Sequence, residues 1–329
     1  MQQKDNAQSN DDFDTPWKEV LEIYFKDFLL FFFPEAAAGI DWYKGYKFLD
    51  KEFQQICKDA TLGRCYADKL VQVFRKDGKE VWVLVHVEIQ AQKDNDFARR
   101  MYTYNYRIFD RYNRPVVSLA ILADTQISWR PNEFSWQLWG CRVGINFPAI
   151  KLLDYNEDWA GLETSNNPFA ICTMAHLKTM ETKGNVDARK RWKVTFARRL
   201  YEQGRDKQYV LNLFRFIDWI MTLPDDQAEI FWQEVQHIEK EKAMPYVTSI
   251  ERLGIQKGIQ QGIQQGIQEG IQEGIQEGIL QILKRQLKAK FGPLPKDVIT
   301  QLNKADEETI LNWSEHILAA NSLGDIFGH

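Results

Sequence analysis

Several familiar chemistries are missing from this 329-residue chain. The four cysteines, Cys57, Cys65, Cys141 and Cys172, show neither zinc spacing nor disulfide density, which fits a reducing cytoplasm. There is no large excess of charge of either sign. The formal net charge is -4 and the pI is about 5.9, which excludes a basic nucleic-acid coat and leaves any DNA contact to local patches. The very apolar run Leu21–Phe33 carries Lys26 and Asp27 and stops at Pro34. It is too short to span a bilayer and reads as a buried core helix, so no membrane partner is expected. Glycine-rich phosphate loops and Ser/His/Asp constellations are absent. Residues 1–14 are polar, do not read as a signal peptide and are expected to be disordered.

What is present is a strand with an unusual end. In Val81–Gln90 (VWVLVHVEIQ) the odd-numbered positions are all valine or isoleucine and belong to a core. The even-numbered positions end in His86, Glu88 and Gln90, a polar cluster that no core needs. Another acid, Asp68, lies in the preceding strand, Tyr66–Arg75. The turn Lys76-Asp77-Gly78 joins the two strands and allows two registers. A three-residue loop with Gly78 left-handed pairs Asp68 with His86 and puts Asp68, His86 and Glu88 on one face. A two-residue Asp-Gly loop shifts the pairing by one and sends Asp68 to the opposite face from Glu88. Two carboxylates at a strand end suit a divalent-metal phosphodiesterase, so the first register is the one that chemistry requires.

Helices are expected at Trp17–Phe33, Leu49–Ala60, Asp96–Tyr112, Phe169–Lys183, Asp187–Gln203 and Asp206–Thr222, with another after Pro224. Pro115–Ala123 is a continuous apolar run of the kind found inside a covered sheet, and Trp136–Phe147 fits a strand pair. The order argues an α/β fold with a helical extension. Residues 254–281 repeat a four-residue Gly-Ile-Gln unit. Each step advances the isoleucine about 40° around a helix, and glycine costs about 0.8–1 kcal/mol against alanine. Two descriptions fit: a helix stabilised by self-association, or a low-complexity linker. Ile282–Phe291 follows as a basic amphipathic helix, and after GPLP two further helices complete a small tail domain.

Several separated blocks, in order, carry a family resemblance. IDWYKGYKFLDKEFQ (40–54), ADKLVQVF (67–74), the run 81–112 and NPFA (167–170) resemble the Rpn-type recombination-promoting nucleases, transposase-like members of the PD-(D/E)XK nuclease superfamily. The likeness spans about residues 15–250, and the tail from 282 looks like a small helical domain that often follows this nuclease in prokaryotes. The resemblance implies a restriction-endonuclease-like core, a mixed sheet flanked by helices. It also implies Mg²⁺-dependent hydrolysis of DNA, with Mn²⁺ able to substitute, linked to recombination or a mobile element. The expected organisation is a disordered stretch 1–14, a nuclease-like domain 15–250, the repeat 251–281 and a helical domain 282–329. The expected location is a prokaryotic cytoplasm, on the nucleoid when bound to DNA. Pairing through 254–281 would give a homodimer, which suits cutting of both strands.

Residue by residue, Asp68 matches the strand aspartate of the family, Glu88 the acid of its motif, and Glu52 the acid often found on the first core helix. Gln90 stands where the superfamily usually has lysine. Asp68 and Glu88 are the expected metal ligands, with the Ile89 carbonyl as a third, since Mg²⁺ takes oxygen ligands. Gln90 can orient the attacking water or the phosphate but supplies no charge. Glu52 would bind a second metal or orient a water. Lys93 is either the missing cation or a solvated loop residue. Arg99, Tyr102 and Tyr106 share a helical face suited to DNA backbone, and Arg189–Arg199 offers a second basic stretch. Trp42, Tyr43 and Tyr46 fit core packing better than base stacking.

Overall fold

A computed structural model describes residues 14–49, 68–88, 96–243, 246, 278–295, 298–299, 301–302, 305, 307–317, 320 and 322–327. The chain divides into two compact units, the larger ending at Ile259 and the smaller formed chiefly by Gln260–His329.

In the larger unit the apolar run near the N-terminus forms two helices, α1 (Asp14–Ile23) and α2 (Phe25–Phe32), in place of the single expected one. The break falls at Tyr24, whose ring packs 5.8 Å from Tyr209 and whose hydroxyl accepts a hydrogen bond from Asn212 Nδ2. α2 buries Phe25, Phe28, Leu29 and Phe32, the i, i+3, i+4, i+7 stripe of a helix lying on a core. A short α3 (Pro34–Gly39) and a single 3₁₀ turn lead into β1 (Tyr46–Phe48). The hairpin β2 (Asp68–Phe74) and β3 (Glu80–Glu88) follows. Then come α4 (Phe97–Tyr112), β4 (Val116–Leu122), the hairpin β5 (Glu133–Leu138) and β6 (Cys141–Asn146), and β7 (Ala149–Lys151). Among the described residues five α-helices follow: α5 (Trp159–Thr164), α6 (Pro168–Glu181), α7 (Val186–Glu202), α8 (Lys207–Ile220) and α9 (Asp225–Lys242).

The main sheet runs β1-β2-β3-β4-β7. It is mixed: β1, β2 and β3 are antiparallel neighbours, whereas β4 lies parallel to both β3 and β7. Helices flank it, so the expectation of a mixed α/β fold holds. On one face Val71, Val73, Val81, Leu119, Ile121 and Ala123 join the aromatic helices in a single core. On the other, Ala120 and Leu122 pack with Phe97 and Met101 of α4 and with Trp129 and Phe147. Both faces are covered, which explains why β4 reads as continuously apolar.

Asn167 of the NPFA block caps α6. Its Oδ1 accepts the Phe169 N–H at 2.9 Å, Pro168 occupies the first turn, and its Nδ2 donates to the Asp27 carbonyl at 2.9 Å. That side chain therefore starts one core helix and ties it to another.

In the smaller unit, the helix over 278–291 buries Leu283 and Leu287 with Val298, Leu302, Ile310, Ile317 and Ile326. Trp313 of the helix Glu307–His316 packs 4.8 Å from Phe327 of the short helix Gly324–Phe327. The helix expected at Leu49–Ala60, beyond Leu49 itself, and nearly all of the Gly-Ile-Gln repeat lie outside the described residues, as does the N-terminal stretch 1–13.

No helix among the described residues is long and apolar enough to cross a membrane.

Candidate functional site

The β2–β3 turn decides between the two registers. Arg75 N–H donates to the Lys79 carbonyl at 2.8 Å, Gly78 N–H donates to the Arg75 carbonyl at 2.8 Å, and Gly78 has φ 83°. A side chain at that φ is strained, so glycine sets the three-residue loop. Asp77 Oδ1 accepts the Lys79 N–H at 3.1 Å and holds the turn from inside. The consequence propagates down the ladder: Phe74 pairs with Glu80, Val71 with Val83, and Asp68 with His86. Asp68, His86 and Glu88 therefore occupy one face at one end of the sheet, as the three-residue loop requires.

The rest of that end is built by the parallel strands. Glu88 lies in register with Leu122, and Leu122 with Lys151. Lys151 is thus two strands from Glu88, about 9–10 Å across the ladder. Lys151 and Asp124 form an ion pair that is almost wholly excluded from solvent. Asp124 Oδ1 also accepts the Gln126 N–H at 2.8 Å. Lys151 Nζ donates in addition to the Trp129 carbonyl at 3.4 Å and lies 5.5 Å from the Trp129 ring centroid. Burial pushes the Lys151 ammonium below its usual range, opposed by its bond to Asp124. The pair locks the loop after β4 onto β7. Sequence reasoning missed both residues. Asp124 closes an apolar run, but Lys151 sits on a three-residue strand too short to show a period.

On the opposite face, His176 of α6 touches the same strand end. Trp17 Nε1–H can only donate, and it reaches His176 Nδ1 at 3.4 Å. The ring proton therefore resides on Nε2, which donates to the Ala123 carbonyl at 3.0 Å. Burial holds the imidazole neutral and lowers its pKa to about 4.

The other expected residues fall as follows. Glu52, Ile89, Gln90 and Lys93 lie outside the described residues. Arg99 is exposed on α4, Tyr102 is half-buried, and Tyr106 is 43% exposed. The Tyr102 ring lies 5.5 Å from Tyr106 and 5.2 Å from Phe134 of β5. Trp42 packs on the core 6.3 Å from Phe25, as expected, whereas Tyr46 lies 5.0 Å from the same ring but is exposed and Tyr43 stands fully in solvent.

The basic stretch on α7 is mostly consumed inside the fold. Lys193 is buried against Asp218 at 2.6 Å and donates to the Met221 carbonyl at 2.9 Å. Arg199 donates to the carbonyls of Leu162, Glu163 and Ser165. Arg189 reaches the Thr179 carbonyl at 2.9 Å, and Arg198 pairs with Glu241 at 2.9 Å. These side chains join helices to each other, and the stretch is not an open phosphate-binding surface.

Among the described residues, no group of three or more His, Cys, Asp or Glu side chains is arranged to hold a metal ion. The side chains at 68 and 83–88 are not among those described. The register places the two acidic positions, 68 and 88, on one face, and carboxylate oxygen is the ligand that Mg²⁺ or Mn²⁺ takes. Comparison with protein-family models, with curated proteins and with solved structures finds no match.

Proposed function

We propose that this chain is a divalent-metal-dependent DNA endonuclease with a restriction-endonuclease-like core, akin to the Rpn-type members of the PD-(D/E)XK superfamily. One observation carries the proposal. The β2–β3 register aligns Asp68 with His86 on the face of Glu88, at the end of a mixed sheet. The alternative register would have separated the two carboxylates and removed the basis for it.

In this reading Asp68, Glu88 and the Ile89 carbonyl hold Mg²⁺. A metal bound there would supply an activated water and offset the charge that develops on the phosphodiester. Gln90 orients the water or phosphate by hydrogen bonds, and Glu52 assists the metal. Arg99, Tyr102 and Tyr106, with Lys93, steady the DNA backbone. Lys151 does not supply the cation missing at position 90, because it is buried and held by Asp124. Its part is to fix the loop beside the site. The expected homodimer rests on the 254–281 repeat, which lies almost entirely outside the described residues.

Mn²⁺ titration followed by electron paramagnetic resonance tests the metal assignment. The wild type should show a site that Asp68→Asn and Glu88→Gln each weaken by about tenfold or more, roughly 1.4 kcal/mol. Unchanged binding in the double variant would remove the metal site from this hairpin.

A specific feature favours a second reading. Gln90 carries no charge where the superfamily has lysine. A protein with this core that binds DNA or itself, without useful turnover, would be expected if that loss is not made good elsewhere. DNA binding that persists without cleavage under every metal would mark it.

A further inference from the structure

The β5–β6 hairpin has two chemically different faces. Phe134 pairs with Ile145, Trp136 with Val143, and Leu138 with Cys141, which makes one face apolar. Glu133, Ser135, Gln137, Arg142, Gly144 and Asn146 make up the other. The base of the apolar face is fastened down. Phe134 lies 5.2 Å from the Tyr102 ring of α4, and Ile145 packs against the cluster of Phe97, Trp129 and Phe147. That cluster includes Leu122, the register neighbour of Glu88, so the hairpin rises from the sheet face that carries the candidate carboxylates.

The tip is left open. Trp136 is 47%, Leu138 55% and Trp139 96% exposed. The two turn residues, Trp139 and Gly140, have φ 50° and 83°. A two-residue hairpin turn with both φ values positive is served best by Asn-Gly. A bulky ring at positive φ is an outlier. A residue kept at a local conformational cost and projected into solvent points to use rather than folding.

We infer that this hairpin is a base-stacking element, with Trp139 and Trp136 receiving unpaired DNA bases beside the cleavage site. The inference rests on the nuclease reading and names the form of DNA it engages. Charge selects this occupant. α4, against which the hairpin sits, carries four arginines and one aspartate; Arg100 is buried, and Arg99 and Arg111 are exposed. Arg99 is exposed on the helical face of Tyr102 and Tyr106, and Arg142 is exposed on the other face of the hairpin. An aromatic row with an exposed arginine beside it offers a surface on which bases stack while a phosphate pairs with guanidinium. The exposed Tyr106 extends the aromatic row Tyr106–Tyr102–Phe134 toward Trp136.

Anisotropy of a labelled single-stranded oligonucleotide and of the matching blunt duplex, both in EDTA so that nothing is cut, tests this on the full chain. Trp139→Asn is the informative variant, because Asn-Gly suits the turn while the ring is lost. Stacking of one base is worth a factor of roughly 5–150 in affinity. Trp139→Asn should weaken single-strand binding within that range, weaken duplex binding less, and melt no lower than wild type. Trp139→Phe should recover most of the loss.

Equal single-strand affinity of wild type and Trp139→Asn would overturn the inference. If the wild type still cleaved plasmid DNA, the nuclease reading would survive. A wild type that neither binds nor cuts DNA would overturn both. Trp-dependent binding to anionic vesicles without DNA binding, or a Trp-dependent change of oligomeric state alone, would reassign the tip to a lipid surface or to a second copy.

Discussion

His176 shows how a single buried residue makes this fold sensitive to acid. Its ring is neutral between the Trp17 indole and the Ala123 carbonyl, and its pKa is lowered to about 4 against an unfolded value near 6.5. As pH falls below 6.5 the unfolded chain takes up the proton first. The stability this group contributes is therefore whole above about pH 6.5 and is lost progressively toward pH 4. Between pH 7 and 5 the loss should be ~2 kcal/mol by denaturant titration. His176→Phe should be less stable at pH 7, since it strands a buried donor and acceptor, yet should show a flatter pH dependence. A variant with the wild-type slope would show that other groups carry the effect. His176 was not legible in the sequence, because its partners lie 159 and 53 residues away. Asp68 and Glu88 were legible as a pair of acids because strand alternation and turn chemistry are local signals. The choice of register became definite only with the hydrogen bonds of Arg75 and Gly78.

Helices show where sequence reasoning reached and where it stopped. The positions of α4 and α6–α9 follow from apolar periodicity and caps, both written locally. Asn167 before Pro168 and Asp206 before Lys207 are such caps. The break at Tyr24 and the fate of the α7 cations do not follow, since tertiary partners decide them. Lys193 is the clearest case. It reads as one of a row of solvated cations but is buried against Asp218, the Met221 carbonyl and the Phe231 ring. Removing one member of a buried pair leaves the other charge uncompensated, so Lys193→Ala should cost ~3–5 kcal/mol of stability. Lys193→Met should recover the part due to packing of the stem. An alanine variant within ~1 kcal/mol of wild type would mean that water reaches Asp218. The β5–β6 hairpin was legible as a strand pair. Its exposed tip was not, because exposure is a property of what the rest of the chain fails to cover.

At the scale of the whole molecule, the larger unit is a mixed five-stranded sheet with a helical core on one face and α4 on the other. That arrangement gathers the start of β2 and the ends of β3, β4 and β7 along one edge, and with them Asp68, Glu88, Asp124 and Lys151. The α/β class was legible from the alternation of helical and extended patterns. The pairing of β4 with β7 was not, since a three-residue strand beyond a long hairpin leaves no local trace. The proposed function makes this edge the place where DNA is cut, with a metal held by two carboxylates. Conversion of supercoiled plasmid to nicked or linear form by the full chain in Mg²⁺, Mn²⁺ and EDTA, beside Asp68→Asn and Glu88→Gln, tests it most directly. Cleavage should need metal and fall by at least about a hundredfold in each variant, on the order of 3 kcal/mol of lost transition-state stabilisation. A folded wild type that cuts under no metal, or a double variant that cuts as fast as wild type, would contradict it.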